Sequence, residues 1–87
     1  MAGYRLVIKA SATKELERVE PKRLRQRLAA ALERLALDPR PAGCEKLAGV
    51  HDAYRIRQGD YRAVFTIDDQ ARVVTIVKVG HRREVYR

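Results

Sequence analysis

The chain has 87 residues, of which 46% are hydrophobic and 34% charged, and its net charge is +8. This length fits a single domain over residues 1–87, and the basic excess predicts polyanionic partners, with a charge that serves only solubility as the alternative. A lone cysteine, Cys44, excludes an internal disulfide, and no apolar run is long enough for a signal peptide or a membrane span, so we expect a cytoplasmic protein without membrane association.

The chain begins with a predicted strand and a short helix. Residues 4–8 are mostly apolar and include the β-branched Val7 and Ile8, which favours a strand. The hydroxyl groups of Ser11 and Thr13 then predict an N-cap for a helix that ends near Val19.

A second helix is predicted from Pro21, a residue that suits the first helical position. Apolar residues recur along it at three- and four-residue spacing and predict a core-facing stripe: Leu24, Leu28, Ala31, Leu32 and Leu35. The other side is basic and is either a solvated helix face or an RNA contact; it includes Arg23 and Arg27. The helix ends before Pro39, which disfavours helical geometry in Asp38.

Two strands joined by a tight turn follow. Residues 53–57 alternate, so Arg55 and Arg57 share one side, and Gly59-Asp60 is typical of a two-residue hairpin loop. This register places Arg57 opposite Arg62, so three guanidinium groups converge on the solvent side of the sheet. Because like charges in such positions are destabilising, the arrangement indicates that a polyanion binds there.

The last third of the chain predicts a central strand and a basic tail. Residues 68–71 form an aspartate-rich turn, and residues 73–79 are nearly all apolar, which is typical of a strand covered on both faces. The strand ends at Gly80. Residues 81–87 are rich in His, Arg and Tyr, and they form either an extension of the basic face or a frayed, charged terminus.

Nearly the whole chain resembles the RelE family of toxins from type II toxin-antitoxin pairs. The resemblance is carried by residues 46–49, by the hairpin from Tyr54 to Arg62, and above all by the ending from Val79 to Tyr86. It implies an α+β fold in which two N-terminal helices pack on one face of a mixed, mostly antiparallel sheet of four to five strands. The nuclease groove would lie on the other face.

The same resemblance implies a metal-independent ribonuclease in which the ribose 2′-hydroxyl attacks the adjacent phosphate. Such chemistry needs a proton acceptor, cationic donors for the phosphate and a proton donor for the leaving oxygen. By resemblance Arg62 stabilises the phosphate, Arg82 acts near the leaving group and Tyr86 stacks on or orients the base. The resemblance and the basic composition also give the expected RNA-binding residues: Lys46, Arg55, Arg83, Arg23 and Arg27.

Arg55 and Arg57 stand where relatives carry lysine, which can act as a base when its pKa falls. Arginine stays protonated up to a pH of roughly 12 and cannot act as a base near neutrality, so both are better interpreted as phosphate clamps. His81, with an ordinary pKa near 6.5, is then the candidate proton acceptor, and a polar cap at the strand end is the alternative.

The sequence has no glycine-rich phosphate loop, paired cysteines or metal-ligand spacing, so we expect neither a cofactor nor a metal. The expected partners are a cognate acidic antitoxin, messenger RNA and the decoding site of the ribosome. Three functions stay open: a ribosome-dependent endoribonuclease, a ParE-like inhibitor of DNA gyrase, and a non-catalytic RNA- or ribosome-binding module.

Overall fold

A computed structural model describes residues 3–49 and 51–85 of the chain. Its elements, in chain order, are β1 (Arg5–Ile8), α1 (Ala10–Glu17), α2 (Lys22–Arg34), β2 (Glu45–Lys46), β3 (Ala53–Gln58), β4 (Tyr61–Asp68), β5 (Val73–His81) and α3 (Arg82–Val85). The five strands form one sheet in the order β1-β5-β4-β3-β2. Only the β1–β5 pair among them is parallel, so the predicted α+β fold with a mixed, mostly antiparallel sheet is confirmed.

Both N-terminal helices pack on the same face of the sheet, here called the helix face. The predicted stripe of α2 is confirmed, since Leu28 and Leu32 are buried together with Phe65 of β4 and Ile76 of β5 in one core cluster. This burial, more than intrinsic helix propensity, stabilises helices of this length. The opposite side of the sheet, here called the open face, carries no described helix of comparable length. No described helix is both long and apolar enough to cross a membrane.

The two N-terminal helices begin differently from the sequence prediction. α1 begins at Ala10 after an extended Lys9, and no side chain caps it, so the N-cap predicted at Ser11 or Thr13 is wrong. The Lys9 amide donates to the Ile76 carbonyl at 3.0 Å, so strand pairing continues to the residue before the helix and leaves no loop for a cap. α2 begins one residue after Pro21, which is its N-cap residue.

The predicted central strand, β5, does lie inside the sheet, between β1 and β4. Its second face is less covered than predicted, because Val73, Thr75 and Val77 are only half-buried. The two N-terminal helices both occupy the helix face, which explains the difference. Pairing with β4 is also irregular, since Val64 lies opposite Lys78 while Phe65 lies opposite Ile76, which leaves Val77 as a β-bulge.

A polar network that the sequence analysis missed ties the loop after α2 to the β4–β5 turn. Arg40 donates from Nη1 and Nη2 to the two carboxylate oxygens of Asp69 at 3.2 and 2.8 Å, and from Nε to the Tyr54 hydroxyl at 3.1 Å. The Tyr4 hydroxyl donates to the same carboxylate at 2.7 Å. Three segments far apart in sequence are therefore joined at one carboxylate.

This network predicts a pH-dependent stability. Hydrogen bonds from Arg40 and Tyr4 lower the pKa of Asp69 from 3.8 to about 2. A lowered folded-state pKa contributes stability above the unfolded-state pKa and loses that contribution as the pH falls through the folded-state value. We therefore expect Asp69→Asn to lower the melting temperature at pH 7, with the difference from wild type shrinking between about pH 4 and 2. Glu17→Gln, an exposed change on α1, is the control, and a difference that does not vary with pH would contradict the prediction.

Candidate functional site

The β3–β4 hairpin organises the candidate site. Gln58 pairs with Tyr61 and Arg57 lies directly opposite Arg62, which confirms the predicted register. The turn favours glycine at position 59, because its φ is +60° and a Cβ there would lie 3.1 Å from Cδ1 of Leu24. The turn thereby fixes which arginines face each other across the two strands.

Arg55, Arg57 and Arg62 all lie on the open face, and we call them the arginine cluster. They alternate with residues that face the helices, since Ile56 and Ala63 belong to the core. Arg57 is exposed, whereas the others are more covered. Like charges at directly opposed positions cost up to roughly 1 kcal/mol, so the opposition of Arg57 and Arg62 does not by itself stabilise the fold.

Arg62 lies on the predicted face of the sheet but is buried, with 7% of its surface exposed, so the prediction that it is a solvent-exposed group is wrong. Its guanidinium folds back on the hairpin turn, where Nη1 donates to the carbonyls of Gly59 and Tyr61 at 3.3 and 3.2 Å. Gly80 lies opposite it on β5 and presents no side chain to compete for the space. Its Nε is buried without a hydrogen-bond partner among the described residues.

Glu45 brings a carboxylate to the arginine cluster. β2 pairs Glu45 with Arg55, and Nη2 of Arg55 donates to Oε1 of Glu45 at 2.8 Å. This hydrogen bond lowers the pKa of Glu45, and the charges of Arg57 and Arg62 lower it further. The site therefore combines three cations with one ionised carboxylate at neutral pH.

Arg82 lies at the same end of the sheet as the hairpin turn. Its amide donates to the Asp60 carbonyl at 2.7 Å, so the last residues of β5 are fixed against the loop that positions Arg62. The Arg82 and Arg83 side chains are both exposed. Tyr86, the predicted base-stacking residue, lies outside the described residues.

His81 lies on the helix face and not with the arginine cluster. It is the β5 partner of Tyr61, and the two rings meet edge to face with centroids 5.7 Å apart. Together with Glu15 of α1 and Arg18, the residue directly after α1, they line a depression of about 270 Å³. His81 Nδ1 accepts the Arg83 amide at 3.3 Å, which fits the alternative interpretation of a polar cap at the strand end.

Comparison with known proteins shows the family to which this fold and site belong. Residues 6–86 match the family described as ParE toxin of type II toxin-antitoxin system, parDE. The chain belongs to this toxin family. It is 34% identical to toxin RelE of Mycobacterium tuberculosis, over 97% of this chain and 87% of that protein.

Solved structures agree with this assignment. The archaeal RelE-RelB complex of Pyrococcus horikoshii matches with a TM-score of 0.80 and 31% identity, covering 94% of this chain and 97% of that one. A mutant of E. coli toxin RelE in the free state matches with a TM-score of 0.78 and 31% identity, covering 97% and 90%. The chain is thus a RelE-type toxin within the wider family.

In this RelE-type toxin the remaining predicted RNA-binding residues lie away from the arginine cluster. Lys46 pairs with Tyr54, whose side chain belongs to the core, so Lys46 stands on the helix-face side of the sheet edge. Arg23 and Arg27 are exposed on α2, also on the helix face. An RNA strand held at the arginine cluster could reach these residues only by passing around the sheet.

Glu45 is the functional candidate of the toxin that sequence reasoning missed. It stands ten positions from Arg55 in a segment with no strand pattern, and β2 is only two residues long. The sequence does place it directly before Lys46, which begins the loop that the RelE resemblance already included. Its pairing with Arg55 depends on a strand register that local pattern does not set.

Proposed function

We propose that this RelE-type toxin is a metal-independent endoribonuclease that cleaves messenger RNA on the ribosome. The observation that carries the proposal is the direct opposition of Arg57 and Arg62 on the open face, with Arg55 beside them. Cations brought together on one face of a sheet can stabilise the charge that develops on a phosphate during cleavage. If the ribosome positions the message, the toxin itself needs few further substrate-binding groups.

In this proposal each arginine has a separate role at the scissile phosphate. Arg62, held rigidly by the turn carbonyls, stabilises the phosphate oxygens, and Arg55 and Arg57 clamp the adjoining backbone. Arg82, exposed beside the turn, serves the leaving oxygen, and Tyr86 orients the base. No cofactor enters the scheme, and the products are a 2′,3′-cyclic phosphate and a 5′-hydroxyl.

The proposal includes a protein partner. The similar structure from Pyrococcus horikoshii was solved as a RelE-RelB complex, and we infer that this chain likewise binds a cognate antitoxin. With a net charge of +8, this chain would attract an acidic antitoxin segment to the open face. We place the protein in the cytoplasm as one domain, where ribosomes and message are available.

A reconstituted translation reaction tests the function. Purified toxin is mixed with ribosomes and a defined message, and the ends of the fragments are mapped. We expect cleavage inside the coding sequence, undiminished by chelation of free transition metals and much slower without ribosomes. Intact message together with trapped gyrase-DNA complexes in a parallel assay would instead support the ParE-like function, and neither product would support a binding module.

A further inference from the structure

We propose that Glu45 accepts the proton of the attacking 2′-hydroxyl, an inference that rests on the proposed ribonuclease function. Sequence reasoning assigned this role to His81, but the sheet separates that ring from the arginine cluster. The arginines cannot replace it, because guanidinium groups stay protonated at any physiological pH. The open face therefore needs another acceptor.

The position of Glu45 suits this role. Glu45 lies across from Arg55, Arg55 is two residues from Arg57 on the same side of β3, and Arg57 lies opposite Arg62. Neighbours of this kind on one sheet face are separated by about 5–7 Å. A phosphate between Arg57 and Arg62 would thus have its ribose within reach of the carboxylate.

The two carboxylate oxygens of Glu45 are inequivalent. Oε1 accepts the hydrogen bond from Arg55, which holds the carboxylate on the open face. Oε2 has no hydrogen bond to the described residues, and 61% of the Glu45 side chain is exposed, so a substrate hydroxyl can approach it. By contrast only 13% of the Arg55 side chain is exposed, which makes the arginine a fixed support for its partner.

The charge state of Glu45 also suits the role of proton acceptor. The adjacent guanidinium lowers the pKa of this carboxyl from its usual 4.5, so the group is ionised at neutral pH and ready to accept a proton. The lowered pKa also makes the Glu45 carboxylate a weaker base. Compensation comes from proximity to the reacting hydroxyl, since a positioned acid-base group contributes about 10²–10⁴-fold to a rate.

The 2′-hydroxyl proton passes to Oε2 of Glu45 as the 2′-oxygen forms its bond to phosphorus. The bond from phosphorus to the 5′-oxygen breaks, and its electron pair stays on that oxygen, which takes a proton from a water molecule. The hydroxide left behind removes the proton from Glu45, which restores the carboxylate and the water.

The test compares Glu45→Gln with wild type in single-turnover cleavage on ribosomes, with Glu17→Gln on α1 as the charge-matched control. We expect the rate constant at saturation to fall at least about 10²-fold in Glu45→Gln, with RNA binding unchanged or tighter because a negative charge has left the cluster. Added formate should restore part of the rate to Glu45→Ala, which a purely structural role for the carboxylate would not produce. Thermal melting identifies any variant that has lost its fold.

Three outcomes would overturn the assignment of Glu45. These are a Glu45→Gln variant that cleaves as fast as wild type, a folded Glu45→Ala variant that formate does not rescue, and a wild-type acid limb near pH 6.5 that His81→Gln removes. With Glu45 as acceptor we expect the wild-type rate to be level between about pH 5.5 and 7.5. Absence of cleavage by wild type would refute the ribonuclease function itself, so the two failures are distinguishable.

Discussion

Replacement of Arg82 with alanine is expected to lower the rate of message cleavage by about 10²–10³-fold, the usual loss when one transition-state donor is removed. The melting temperature should not change, because the Arg82 side chain is exposed and its structural contact is made by the backbone amide. Single-turnover cleavage on ribosomes and thermal melting measure the two quantities.

Arg62→Ala should give the same loss of cleavage but also a loss of stability. Its guanidinium donates to the carbonyls of Gly59 and Tyr61, and the loss of a hydrogen bond from a charged group costs about 1.5–3 kcal/mol. For a protein of this size that corresponds to a melting temperature lowered by at least about 4 °C. Arg62→Lys keeps the charge and isolates the contribution of the two-pronged geometry.

Arg5→Ala is the control for both variants, since it removes an exposed arginine from β1 without touching the hairpin. If either Arg82→Ala or Arg62→Ala cleaves at the wild-type rate while folded, the proposed role of that residue is wrong. A folded Arg62→Ala with wild-type stability would show that the turn does not depend on this side chain.

Binding of the antitoxin is expected to weaken as salt rises and to weaken further in Arg57→Ala. Arg57 is the exposed member of the arginine cluster, so an acidic segment can pair with it directly. Exposed charges at the edge of a protein interface act mainly through long-range attraction. Salt screens this attraction over a Debye length of about 10 Å at 0.1 M. A salt-insensitive remainder should persist, because the half-buried Val73 and Val77 offer apolar surface on β5.

The dissociation constant is measured across a salt series for wild type, Arg57→Ala and Arg23→Ala. The slope against salt concentration should be shallower in Arg57→Ala, while Arg23→Ala, on the helix face, should behave more like wild type. An affinity indifferent to both salt and Arg57 would mean that the antitoxin acts away from the arginine cluster, and direct masking of the site would have to be abandoned.

Local pattern in the sequence was sufficient for much of the fold. Three- and four-residue spacing gave the buried side of α2, and the Gly59-Asp60 pair gave the turn and therefore the Arg57–Arg62 opposition. These features depend on residues close together in the chain, where the helical period, the strand period and turn chemistry act directly. The fold class, by contrast, was implied by the resemblance of nearly the whole chain to the RelE family.

Contacts between segments far apart in the chain could not be predicted from local sequence pattern. Arg40 and Asp69 are separated by 29 positions, and Glu45 reaches Arg55 only because a two-residue strand pairs at the sheet edge. Nothing local distinguishes these residues from other charged surface groups. Their roles depend on which loop the folded chain places beside which strand.

His81 shows most clearly what tertiary structure decided. In an unbroken strand, alternation from the buried Val74 and Ile76 would turn residue 81 toward the open face, where the arginine cluster lies. The bulge at Val77 shifts the alternation by one residue, so Val79 is buried and His81 follows it to the helix face beside Tyr61. The sequence by itself determined most of the elements, the turn and the opposed arginines, because each of these arises from neighbouring residues. The face on which the titratable groups lie was decided only by pairing with β4, because one extra residue in a strand reverses every side chain beyond it.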